Sequence, residues 1–89
     1  MYLYIEHHFD AGDWFLNYDH YLGFRSKTEA IKFAKESYKD YLASGEYKEI
    51  QYLPVSKNDI FCFSCTLEKI SGNYIGDRIF IEIRGIPEF

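Results

Sequence analysis

Residues 26–45 read SKTEAIKFAKESYKDYLASG, and this stretch decides the fold. Ser26 and Glu29 form a capping box, in which the Ser26 hydroxyl accepts from the amide three residues on and the Glu29 side chain reaches back to the cap. Ala30, Phe33, Ala34, Ser37 and Tyr41 then recur at three- and four-residue spacing, with Ile31, Tyr38 and Leu42 widening the apolar side. Lys32, Lys35, Glu36, Lys39 and Asp40 take the solvent side, where Lys32 and Glu36 stand four residues apart and are expected to pair. Gly45 occupies the position where a left-handed residue ends a helix. The spacing predicts one helix over residues 27–44.

On both flanks of the helix the apolar period changes from 3.6 to 2. Residues 2–9 (YLYIEHHF) place Leu3, Ile5, His7 and Phe9 on one face and Tyr2, Tyr4, Glu6 and His8 on the other. Asp10-Ala-Gly-Asp13 is a turn signal, and the apolar pattern resumes over Trp14–Tyr18, which predicts a hairpin. Residues 18–21 are expected to turn or bulge before a short strand at Leu22-Gly23-Phe24. Beyond the helix, residues 47–53 read as a strand closed by Pro54, and Ser56-Lys-Asn-Asp59 reads as a turn. Residues 60–70 form a long strand with Phe61, Phe63, Cys65 and Leu67 on one face. Residues 78–84 alternate cleanly, with Ile79, Ile81 and Ile83 inward and Phe80 among outward charges.

Strands, one helix, then strands, with short connections, imply an α+β fold: an antiparallel sheet of about four to six strands with a single helix on one face, in the order β-β-(β)-α-β-β-β. A lone helix covers one side only. The other side is expected to carry Tyr2, Tyr4, His8, Cys62, Thr66 and Phe80.

With 89 residues, 47% of them hydrophobic and 20% aromatic, the chain fits one small domain spanning residues 1–89, and disorder is excluded. No basic leader precedes a long apolar run, so neither a signal peptide nor a membrane span is expected and a cytoplasmic location follows. The formal charge of -4 is opposite to the footprint of a nucleic-acid binder, so direct nucleic-acid binding is disfavoured. That charge is unevenly spread: residues 1–24 hold Glu6, Asp10, Asp13 and Asp19 and no Lys or Arg, whereas residues 25–44 hold five bases and three acids.

His7-His8, with His20 and the acidic turn nearby, invites a metal reading, but adjacent strand residues point to opposite faces and cannot share one ion without a bulge. Cys62-Phe-Ser-Cys65 has knuckle spacing, yet on a strand its sulfurs diverge; Cys65 is expected in the core and Cys62 near the surface. No glycine-rich phosphate loop or nucleophile elbow occurs. No cofactor, metal or catalytic residue is therefore expected. The surplus of nine Tyr, eight Phe and one Trp is the notable feature, because Tyr and Trp make rigid interface anchors.

The resulting expectation is a non-enzymatic protein-binding or inhibitor module. Tyr2, Tyr4, Glu6, Asp10, Asp13, Trp14, Tyr18, Asp19 and Tyr21 would engage a basic surface of a larger partner, such as a nucleic-acid-processing complex. One form such a module would take is an anti-defence (anti-CRISPR-like) protein encoded by a phage or mobile element. The alternatives are a small metal-binding, hydrolase-like module at His8, His20 and nearby Asp residues, or an RNA- or single-strand DNA-binding sheet. A homodimer through a sheet edge is compatible with all three.

Overall fold

The computed structural model describes residues 1–11, 16–54 and 60–87; the side chains of residues 16–18 are not described. Within these residues the chain forms β1 (Tyr2–Phe9), β2 (Leu16–Phe24), α1 (Lys27–Ala43), β3 (Tyr47–Leu53), β4 (Phe61–Lys69) and β5 (Arg78–Gly85). The five strands build one antiparallel sheet in the order β2-β1-β5-β4-β3, and α1 packs on one face of it. The α+β architecture read from the sequence is thus the observed one.

The helix begins and ends as its sequence dictates. The Ser26 side chain accepts from the Glu29 amide at 3.3 Å. Gly45 has φ +75°, and its amide donates to the Leu42 carbonyl at 3.1 Å, closing the last turn. Ala30 and Ala34 are fully buried, and their small side chains let the helix sit close over Ile79, Ile81 and Ile83 of β5 and Phe63, Cys65 and Leu67 of β4. The expected Lys32–Glu36 ion pair is not formed among the described residues.

Three expectations require correction. Residues 18–21 do not turn: β2 runs unbroken from Leu16 to Phe24, paired with β1 from Tyr2↔Phe24 to His8↔Tyr18, so no third N-terminal strand exists among the described residues. The faces of β1 are also reversed. Tyr2, Tyr4 and His8 lie on the helix side, and Tyr4 is 3% exposed, its ring meeting Phe33 edge-on at 4.9 Å. Strand parity follows whichever set packs best, and the tyrosine rings reach the helix while their hydroxyls still find partners.

The third correction concerns Cys62, which is fully buried rather than near the surface. A register shift between Phe61 and Phe63 inserts it as an extra residue, tucks it inward and turns Phe61 to the uncovered side. There Phe61 is 54% exposed, beneath the Arg84 guanidinium at 5.3 Å. Thr66 and Phe80 do lie on the uncovered side, as cross-strand neighbours.

Much of the aromatic surplus is consumed at the flanks of the helix. Tyr38 stacks on Tyr52 at 4.4 Å, Tyr41 meets Tyr47 at 5.1 Å, and Tyr52 meets Phe63 at 5.9 Å. One helix on five strands leaves two shoulders, and tyrosine fills them with its ring inward and its hydroxyl outward. Only Tyr21 and Tyr74 stand mostly in solvent among the described tyrosines.

Candidate functional site

Where the C-terminal half of α1 passes over β1 and the start of β3, a cleft of about 460 Å³ opens, lined by Glu6, Ser37, Asp40, Tyr41, Ser44, Glu46 and Tyr47. Helical geometry assembles one wall: Ser37, Asp40, Tyr41 and Ser44 stand at i, i+3, i+4 and i+7 and therefore share a face. The opposite wall comes from the tight helix–strand connection, which brings Glu46 and Tyr47 back beside the last turn. The Ile70 amide holds the Glu46 carbonyl at 2.8 Å. Gly72, at φ +79°, lies so near that a Cβ there would come within 2.8 Å of Glu46 Oε1, so the position admits only glycine without displacing that carboxylate.

Glu6 forms the floor. Tyr4 donates its hydroxyl to Oε1 at 2.6 Å, and Oε2 accepts from Tyr41 at 2.9 Å and from His8 Nε2 at 2.7 Å. Burial opposes a charge here, yet the donors from His8, Tyr4 and Tyr41 outweigh it and hold the carboxyl below its usual range. Conversely, burial and the adjoining Glu6 carboxylate push the Tyr4 and Tyr41 hydroxyls well above their ordinary values, so both stay proton donors. The result is a fixed, half-buried anion with Asp40 and Glu46 beside it, walled by two tyrosine rings. Such a cleft can take a cation: carboxylates supply charge, and the tyrosine rings supply the faces on which ammonium or guanidinium groups rest. Lys69 already lies over the Tyr47 ring, 5.7 Å from its centre.

The titration of Glu6 has a measurable consequence. Because its carboxyl titrates lower in the fold than the ordinary 4.5, its stabilisation is complete above that pH and is lost as pH falls through the folded value. Glu6→Gln is expected to cost about 1 kcal/mol at neutral pH and to flatten the acid limb of a stability–pH curve from urea melts. An unchanged acid limb would show that Glu6 is not held charged by the fold.

The residues anticipated as an interaction patch divide between two faces. Tyr2, Tyr4 and Glu6 lie on the helix side, where Tyr4 is buried and Tyr2 packs against the core. Asp10 is exposed and lines a separate hollow of about 270 Å³ with Tyr74 and Asp77. Asp19 and Tyr21 lie on the uncovered side. Tyr18 sits opposite His8 in β2, and Asp13 and Trp14 fall outside the described residues. Among the described members of the set, only Glu6 belongs to the cleft. Ser37, Asp40, Tyr41, Ser44, Glu46 and Tyr47 were not anticipated, although the helical spacing of the first four was there to be read.

On the uncovered side a chain of charges crosses three strands. Tyr21 donates to Asp19 at 2.9 Å; His7 meets Asp19 through Nδ1 at 2.6 Å and Glu82 through Nε2 at 2.7 Å; Arg84 closes the series on Glu82. Phe80 stacks on the His7 ring at 5.6 Å. Asp19 is thereby already committed to partners within the chain.

Among the described residues, no group of three or more His, Cys, Asp or Glu is arranged to hold a metal ion. His8 and His20 come only to 6.3 Å between ring centres. Burial pushes the Cys65 thiol up to about 12, which removes it as a thiolate at neutral pH. No described helix is long and apolar enough to cross a membrane. Comparison of the chain with family models, curated proteins and solved structures finds no match.

Proposed function

We propose that this protein is a non-enzymatic binding module that captures a basic side chain of a larger protein partner in the Glu6 cleft. The observation that carries the reading is the ionised Glu6, fixed by three donors at the base of a concavity rimmed by Asp40 and Glu46. Rigid acceptors of this kind cost little to organise on binding, and the chain's net charge of -4 speeds its encounter with a basic surface. Covering a basic surface that its partner uses to hold nucleic acid would make the module an inhibitor by occlusion.

A short Lys/Arg-rich peptide, titrated into isotope-labelled protein, tests this by amide chemical shifts. Shifts are expected at Glu6, Ser37, Asp40, Ser44 and Glu46, and an Asp40→Asn, Glu46→Gln double variant is expected to weaken binding roughly three- to tenfold. Shifts confined to other surfaces, or an affinity indifferent to the double variant, would remove the cleft from consideration.

A further inference from the structure

The opposite flank of α1 carries the reverse chemistry. A groove of about 630 Å³ runs between the helix and the end of β3, lined by Lys27, Thr28, Ile31, Lys32, Lys35, Glu36, Lys39 and Pro54. Among the described residues, four basic side chains therefore line the groove with one acidic side chain, in a molecule whose net charge is -4. Lys32, Lys35 and Lys39 make no ion pair among the described residues, so no described carboxylate neutralises their charge by direct contact. The three stand at i, i+3 and i+7 and spread their ammonium groups over about 10 Å of helix. Between them and Pro54, partly buried Ile31 provides an aliphatic floor.

We infer that this groove docks an acidic segment of another protein, with an aliphatic side chain seated on Ile31 and Pro54 and carboxylates paired to Lys32, Lys35 and Lys39. Charge complementarity requires an anionic occupant, and the lining says which kind. Single-stranded nucleic acid is held by stacking its bases on aromatic rings, and among the described residues no aromatic side chain lines the groove. A long polyanion would also run over Glu36 within the groove and would meet repulsion from the molecule's overall charge. A short peptide with alternating acidic and aliphatic residues carries fewer charges over a shorter length, so it meets less of both costs while adding apolar contact with Ile31 and Pro54. This site is independent of the Glu6 cleft, since it lies on the other flank of the helix and takes the opposite charge.

Fluorescence anisotropy with a labelled Glu/Leu peptide, a Lys/Leu peptide and a single-stranded DNA of similar length decides the matter. The Glu/Leu peptide is expected to bind and the Lys/Leu peptide not to bind at this groove. A Lys32→Glu, Lys35→Glu, Lys39→Glu variant should lose affinity roughly tenfold or more, and the milder triple change to Gln should lose less. Both variants alter exposed or half-exposed positions, and circular dichroism melts are to check that they fold. Binding should weaken as salt rises. The inference is overturned if the Glu/Leu peptide fails to bind, if neither triple variant changes its affinity, or if DNA binds as tightly and loses affinity in the same variants. Because the basic-peptide test reads the other flank, either site can fail without the other.

Discussion

Truncating Ile81 to alanine is expected to destabilise the protein by about 3–4 kcal/mol. Ile81 is fully buried in β5, the middle strand, with Glu6 of β1 and Cys65 of β4 as its cross-strand neighbours and the helix above. Its removal leaves a void that the adjoining strands cannot collapse into, since β1 and β4 are each hydrogen-bonded to a strand on both sides. A domain this small has about 5–10 kcal/mol of total stability, so a substantial fraction disappears with one side chain. Thermal denaturation should show the midpoint falling by roughly 12–30 °C, whereas Ile81→Val should cost only about 1 kcal/mol. If the alanine variant lost less than the valine variant is expected to lose, the placement of the core beneath α1 would be wrong.

The second large effect is expected on the uncovered side. His7→Ala should cost about 2–3 kcal/mol, because it leaves the Glu82 carboxylate, only 8% exposed, with Arg84 alone and releases Asp19 to Tyr21. Each imidazole nitrogen faces a carboxylate oxygen, so the ring ties β2 to β1 and β1 to β5 as a single bridge. The cost arises mainly from stranding a desolvated anion, which gives a sharp test. A His7→Leu, Glu82→Leu double variant should be markedly less unstable than the two single changes combined, with a coupling of about 1 kcal/mol or more in urea melts. Strict additivity would mean that the bridge contributes nothing beyond packing.

How much of this was legible beforehand depends on the kind of signal. The helix was readable because Ser26, Glu29 and Gly45 act locally, through bonds to the backbone a few residues away. Residues 47–53 were readable because Gly45 and Pro54 bound them, and residues 78–84 because they alternate cleanly after a turn. The facing of β1 was not, since Leu3 and Ile5 look more apolar than Tyr2 and Tyr4, and only contact with Phe33 and Tyr41 decides the matter. Cys62 was misplaced for a similar reason: one inserted residue at a bulge reverses strand parity without leaving a mark in the composition. The Glu6 cleft was half visible. Its helical stripe obeys a known spacing, but Glu46 and Tyr47 join it only through the path of the chain after Gly45, and the bridge at His7 joins residues 12 and 75 positions apart.

The strand order has a consequence for how the molecule is made. β1–β2 and β3–β4 are two local pairings, while β5, the last of the described strands, lies between them and pairs with both β1 and β4. The β4–β5 pairing is local, but β1 and β2 cannot join the rest of the sheet until β5 is present, so completion of the sheet waits on the β1–β5 contacts of high sequence separation. Acquisition of the native state is then a single late zippering event, and a nascent chain paused before Arg78 would present two unfinished ribbons to chaperones rather than a partly built domain.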